Sequence, residues 1–180
     1  MAKARTGFKL PGFTSYVERV KNVTAQEAAE LIVEELQDAG PAWTGEFRNN
    51  WVIVTGTGKR IPATKETSYV KRERLQSDPP LYQSKEKITA PKFKGRSDNG
   101  YTIGNVMRYR DIALDLDPGG WRTQPTASGE PKRNTAPKDW YINFVQGGKM
   151  RQILEAATLK AAKDPTIRGF KGGSRSTRFT

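Results

Sequence analysis

The sequence predicts an α+β fold: a small, mainly antiparallel sheet packed against two amphipathic helices, with a long extended arm and basic terminal tails. Three observations predict it. Residues 24–39 carry apolar side chains at helical spacing. Residues Trp51 to Thr55 form an aromatic and β-branched run closed by Gly56. A second helical stripe lies between residues 139 and 163. The 180 residues suit one domain with arms. The expected organisation is a basic N-terminal arm at 1–14, a single domain at 15–163 with an arm inserted at 57–100, and a basic, glycine-rich tail at 164–180.

Each element has a local reason. Ser15 and Glu18 have capping-box spacing ahead of a short helix whose face is Tyr16, Val17 and Val20. Thr24 and Glu27 repeat that spacing at the start of the stronger helix. There Ala25, Ala28, Ala29, Ile32, Leu36 and Ala39 make an apolar stripe, and Glu27, Glu30, Glu34 and Glu35 lie off it. Gly40 followed by Pro41 is a stop signal. Thr44-Gly45 is a turn signal, with the strand after it. Residues 57–100 hold four prolines and many charges, with short extended pieces near Ser68–Lys71 and Lys87–Thr89. So long a stretch without regular structure is unusual inside a compact domain, which predicts a long hairpin or arm reaching outside the core. Gly56-Thr57-Gly58-Lys59-Arg60 lacks the spacing and following helix of a phosphate-binding loop and reads as a hairpin tip.

Residues 100–106 read as a returning strand, and residues 107–117 as a short helix or turn ending at Pro118-Gly119-Gly120. Residues 122–138 are a polar loop. The last helix starts after Asp139, a candidate N-cap, and its stripe is Met150, Ile153, Leu154, Ala157 and Ala161. Gly147-Gly148 is expected to bend or restart it, and Pro165 to end it. The remaining tail is too polar and glycine-rich to fold alone.

Composition removes many chemistries. The chain has no Cys, so disulfides, thiol catalysis and Cys-ligated zinc are excluded. It has no His, so imidazole catalysis and a Ser-His-Asp triad are excluded as well. No apolar run approaches the roughly 20 residues of a membrane span, and the N-terminus lacks a secretory apolar region. A soluble intracellular protein is expected. Asp111, Asp115 and Asp117 are the densest acidic cluster outside the first helix. Beside Arg108 and Arg110 they read as a salt-bridged turn, not as a metal or acid/base site. No catalytic, cofactor-binding or metal-ligating residue is expected.

Charge is unevenly spread. The formal net charge is +12. Residues 23–55 carry one basic and six acidic side chains, whereas residues 56–101 carry eleven basic and five acidic, and residues 165–180 four basic and no acidic. Positive charge at both ends and in the centre suits a polyanionic partner such as nucleic acid, or equally acidic protein neighbours and solubility. Arg48, a planar multi-donor fork beside the acidic helix, is expected to pair with one of its glutamates within or between subunits. Phe47 and Trp51 are expected to pack on the helix stripe. Trp43, Trp121 and Trp140 suit either the core or an interface.

The segment Pro41-Ala42-Trp43-Thr44-Gly45-Glu46-Phe47-Arg48-Asn49-Asn50-Trp51, following an alanine-rich helix, resembles the head–tail joining, or tail-completion, proteins of tailed bacteriophages. That family has Thr-Gly, a variable residue, Phe or Leu, Arg-Asn, then Ser or Asn and Trp or Ile at the same place. Its second signature, an Asn, a Tyr-containing helix and an acidic residue before Gly, matches Asn105, Tyr109, Asp115 or Asp117, and Gly119. Its C-terminal amphipathic helix matches residues 139–163. The resemblance spans residues 15–163, and the first segment is its specific part. Trp43 replaces the usual acidic residue before Thr-Gly, and the central insertion is longer and more basic than the family's.

The resemblance implies a structural virion protein, one subunit of a homo-oligomeric ring, six-fold or twelve-fold, in the phage neck or upper tail. Its neighbours would be copies of itself, the portal-side connector or head-closure protein and the tail tube or terminator protein, with genomic DNA in the lumen and no membrane partner. The matched residues Thr44, Gly45, Phe47, Arg48, Trp51, Asn105 and Tyr109 would supply the motif turn and contacts between subunits. Lys59, Arg60, Lys71, Arg72, Arg74, Arg168, Lys171, Arg175 and Arg178 are the candidates for an assembly arm or a DNA-facing surface. The alternative is a sequence-independent nucleic-acid-binding protein that uses the basic tails with Tyr69, Tyr82 and Phe93 as stacking platforms.

Overall fold

A computed structural model describes residues 13–41, 46–66, 85–94, 100–114, 136–137 and 139–168. The fold is α+β, with a two-stranded antiparallel sheet packed against helices. Its first element is helix α1, Phe13–Ala39. The two helices expected on either side of Asn22 are one, because no glycine or proline lies between Val20 and Thr24 to break the pattern. It starts inside the expected arm. Its buried residues are Ala28, Ala29, Val33, Leu36 and Gln37. The face is therefore rotated from the expected stripe: Val33 and Gln37 are interior, and Ala25, Ile32 and Ala39 lie at its margin.

After Gly40 and Pro41 comes a one-turn helix, α2 (Glu46–Asn49), then strands β1 (Trp51–Thr55) and β2 (Tyr101–Asn105). They pair antiparallel from Trp51↔Asn105 to Thr55↔Tyr101. One further hydrogen bond extends the ladder at each end: Gly56 N–H donates to Gly100 O at 2.9 Å and Val106 N–H to Asn50 O at 3.0 Å. The period of two turns Trp51, Ile53 and Asn105 toward α1. Gly56 and Gly58 have φ of 96° and 68°, a turn geometry that a side chain would strain.

Residues 60–66, which follow this turn, stay on the domain. Ile61 is buried over Gly104, where a Cβ would lie 3.0 Å from the Ile61 side chain. Lys65 then bridges the chain beyond β2, its N–H donating to Val106 O and its carbonyl accepting from Arg108 N–H. Residues 85–94 also return to the core, burying Ala90. The two described ends of 57–100 are thus held on the domain by apolar burial and side-chain hydrogen bonds, and the expected arm between them falls outside the described residues. Residues 67–84 and 95–99 lie outside the described residues.

Helix α3 (Arg110–Ala113) follows β2. The expected last helix is two, α4 (Trp140–Gln146) and α5 (Lys149–Ala161), separated at Gly147-Gly148, with Gly148 at φ 83°. Asp139 precedes α4 in a left-handed conformation and makes no side-chain cap. Helix α5 lies antiparallel along α1, because Lys149 pairs with Glu35 at 2.9 Å and Lys160 with Glu27 at 2.6 Å. Small residues on both helices, Ala28, Ala157 and Ala161, permit the close approach. Leu154, expected in the buried stripe, is 50% exposed, since the contact face is the narrower Ile153, Ala157 and Ala161 row.

Pro165 does not end the fold. It opens a final turn, α6 (Pro165–Arg168). Asp164 caps this turn, accepting from Thr166 N–H at 2.7 Å and Thr166 Oγ1 at 2.5 Å. Proline suits the first helical position because its missing N–H has no helical partner there. The Thr166 hydrogen bonds hold the Asp164 carboxyl below its ordinary pKa.

Candidate functional site

The residues that carry the sequence signature meet around α2. A four-residue helix cannot satisfy its own terminal carbonyls. Here three amide side chains do so. Asn50 Nδ2 donates to Glu46 O at 2.6 Å, Asn105 Nδ2 to Phe47 O at 2.7 Å and Gln37 Nε2 to Arg48 O at 3.1 Å. Gln37 Nε2 also donates to Glu86 O at 3.0 Å, and Glu86 N–H donates to Asn49 Oδ1 at 3.1 Å. Asn105 Oδ1 accepts from Met107 N–H at 3.0 Å. Helix α1, strand β2 and the returning 85–90 segment are thereby pinned to one turn of helix.

Phe47 is the apolar centre of the same hub. Its ring lies 5.6 Å from Trp51 and 6.4 Å from Trp140, both edge-on, and 6.2 Å from Tyr109. Such pairs contribute about 0.5–1.5 kcal/mol each beyond burial. Trp140 adds a hydrogen bond from Nε1 to Ala113 O at 2.8 Å. Its ring closes against Gly40, where a Cβ would lie 2.9 Å away. Glycine at the end of α1 therefore serves packing as well as helix termination.

A charged rim surrounds the apolar centre. Arg48 Nη2 donates to Asp38 Oδ1 at 2.8 Å, and Lys85 Nζ reaches Asp38 Oδ2 at 2.8 Å and Glu34 at 3.6 Å. Burial pushes the Asp38 carboxyl up, but the hydrogen bonds and charges of Lys85 and Arg48 outweigh it and hold the pKa below the usual carboxylate value. Tyr109 is pushed well above the usual phenol value, first by burial and then by the negative charge of Glu46, so it remains protonated. Glu46 itself is buried.

Phe47, Trp51 and Asn105 are 4%, 4% and 1% exposed, so their side chains are engaged inside the subunit. Arg48 pairs with Asp38 of the same chain, not with a helix glutamate. Thr44 and Gly45 lie outside the described residues, as do Trp43, Trp121, Asp115, Asp117 and Gly119. Asp111 pairs with Arg110 at 3.4 Å. Gln37, Asp38 and Lys85 are hub members that the sequence reading did not single out, and Asn50 stood in the matched segment without a role of its own. The one signal for Gln37 was a polar residue four positions after Val33, on the buried face.

The basic candidates divide. Lys59 and Arg60 are exposed beside the Gly56–Gly58 turn. Arg168 closes α6. Lys71, Arg72, Arg74, Lys171, Arg175 and Arg178 lie outside the described residues, as do Tyr69 and Tyr82. Phe93 stacks on Tyr101 at 4.6 Å. The acidic face of α1 is largely neutralised internally by Lys160, Lys149, Lys85 and Arg48. Among the described residues Lys59, Arg60, Lys87, Lys92 and Lys163 form no ion pair. Among them, too, no helix is long and apolar enough to cross a membrane, and no acidic cluster could hold a metal ion. No family model, curated protein or solved structure matches the chain.

Proposed function

We propose that this chain is a structural virion protein, a subunit of a homo-oligomeric ring in the phage neck or upper tail through which DNA passes, in tail completion or head–tail joining. The observation that supports the reading is the hub. The resemblance rests on stretches far apart in the chain, and Phe47, Asn105 and Tyr109 from those stretches converge on α2. A shared sequence signature persists most simply where it holds a shared fold together. The activity is mechanical: the domain is a packed block, and its arms and charged surface engage other copies in the ring, the portal-side connector or head-closure protein, the tail tube or terminator and the DNA. The test is copy number, by quantitative mass spectrometry of purified particles of the encoding virus. Six or twelve copies per particle is the expected result, and absence from the particle overturns the reading.

One observation favours a second reading, a sequence-independent nucleic-acid binder. The acidic helix is neutralised within the chain, so the cations on Lys59, Arg60, Lys87, Lys92 and Lys163 remain available to phosphates. Such binding falls steeply with salt. Under this reading, affinity for mixed-sequence DNA drops by orders of magnitude between 50 and 200 mM salt, because each phosphate contact releases counterions and gains less from doing so as salt rises. A ring subunit binds weakly throughout.

A further inference from the structure

The two ends of the sheet differ in how their charges are matched. Near the end where Trp51 pairs with Asn105, Arg48 and Lys85 share Asp38, Arg110 holds Asp111 and Arg108 holds Glu66. Lys65 Nζ donates there to Asn50 Oδ1 at 2.8 Å. At the other end, where Thr55 pairs with Tyr101, Lys59, Arg60 and Lys92 are exposed and form no ion pair. Residues 56–62, 91–94 and 100–104 contain no acid at all. Two segments bring the cations together. The turn after β1 is tied to β2 by Lys59 N–H, which donates to Thr102 Oγ1 at 3.1 Å, and by Thr102 Oγ1, which donates to Gly56 O at 2.6 Å. Residues 91–94 reach the same strand end on the opposite face of the sheet. There Tyr101 Oη donates to Pro91 O at 2.7 Å, and Phe93 lies on the Tyr101 ring.

This end is built to meet an anion. Among the described residues no acceptor meets the N–H of Thr57 or Gly58, and a Cβ at Gly58 would touch nothing within 4 Å. The Lys59 ammonium folds back over the same turn, 3.2 Å from where a Cβ of Gly56 would stand. Like charges gathered without a counter-charge repel one another, and a bound polyanion relieves that repulsion. A second copy offers little free acid, because Glu27, Glu34, Glu35 and Asp38 of α1 are held by Lys160, Lys85, Lys149 and Arg48. A DNA duplex presents a negative charge about every 1.7 Å along its axis. The rings at this end are engaged with each other, which leaves backbone contact rather than base stacking as the mode of binding. Lys87 and Lys163 are unpaired too, but Lys87 shares a cleft with Glu30 and Glu34, and Lys163 adjoins Asp164.

We propose that the turn end of the sheet, Gly56 to Arg60 together with Lys92, binds the phosphodiester backbone of duplex DNA without reading its sequence. The proposal rests on the nucleic-acid reading above and confines it to one surface.

The test compares two full-length triple variants that lose the same charge. In the first, Lys59→Gln, Arg60→Gln and Lys92→Gln empty the proposed surface. In the second, Lys87→Gln, Arg151→Gln and Lys163→Gln remove three exposed cations elsewhere. Both are checked for unchanged helicity by circular dichroism. Binding of a short mixed-sequence duplex, and of one of its strands alone, is followed by fluorescence anisotropy between about 50 and 200 mM salt. Each phosphate contact contributes about 0.9 to the slope of log affinity against log salt. The expected result is a slope shallower by about 2.7 in the first variant and by less than about 1 in the second, with the duplex bound at least as tightly as the single strand. Equal loss in the two variants shows diffuse attraction by net charge and overturns the proposal. So does a single strand bound more than about ten-fold tighter than the duplex, the mark of base stacking. Wild-type binding whose slope changes by less than about 1 in the first variant overturns this surface and leaves DNA binding standing. A wild type that binds no duplex at about 50 mM salt overturns both, and leaves the neck reading to the copy number in particles.

Discussion

Asn105 is the residue on which the hub most depends, and its replacement can be given a magnitude. Its side chain is 1% exposed and satisfies two backbone groups at once, the Phe47 carbonyl at 2.7 Å and the Met107 N–H at 3.0 Å. Asn105→Ala leaves both without that partner. A buried polar group deprived of its partner costs about 1–3 kcal/mol. Asn50 N–H still reaches Phe47 O at 3.4 Å, a weak substitute. The expected loss is therefore about 3 kcal/mol, a large part of the 5–15 kcal/mol that stabilises a typical domain. In urea, with a slope of about 2 kcal/mol per molar, the midpoint falls by about 1.5 M at unchanged slope. Tryptophan fluorescence suits the assay, because Trp51 and Trp140 both contact Phe47. The control is Asn143→Ala, exposed on α4, which should shift stability by less than about 0.5 kcal/mol. A loss below about 1 kcal/mol for Asn105→Ala, or one equal to the control, would refute the hub as the organising centre.

Other perturbations have equally definite outcomes. Gly40→Ala places a Cβ 2.9 Å from both the Trp140 ring and the Leu36 carbonyl; a loss of about 1–3 kcal/mol is expected from overpacking, read as a lower thermal midpoint. Asp38→Asn should cost less than about 1 kcal/mol at neutral pH, because the Asp38 side chain is half exposed. Since the folded pKa lies below the ordinary 3.8, the stabilisation is present above that value and is lost as pH falls through the folded pKa. The stabilities of wild type and Asp38→Asn should therefore converge only in strong acid, and a gap constant across that range would contradict the Arg48–Asp38–Lys85 assignment. Leu154→Lys should be neutral within about 0.5 kcal/mol, whereas Ile153→Lys on the neighbouring position should prevent cooperative folding, both followed by circular dichroism.

Much of this architecture is legible in the chain because it depends on local periodicity. The acidic helix, the strand at Trp51, the return at Tyr101 and the two-glycine break before Lys149 follow from spacing and from residues that only certain backbones tolerate. Local pattern also placed Phe47 and Trp51 in the interior. It did not place Val33, Gln37 or Leu154 correctly, because an amphipathic stripe defines a face only to within one row of side chains. The row that is buried depends on the angle at which α5 crosses α1. Nor did it identify Asp38 as the partner of Arg48, or join Gln37, Asn50 and Asn105 as caps on one short helix. Those contacts link residues up to 58 positions apart. Their formation depends on where the sheet, α1 and the 85–90 segment come to rest together, which no window along the chain contains. Sequence alone determined the long helices and the two strands, since propensity and period act over a few residues, but not the one-turn helices α2 and α6, which are too short to carry a period. Tertiary structure decided which polar groups those segments satisfy in one another, since a buried hydrogen bond forms only where packing brings donor and acceptor within about 3 Å.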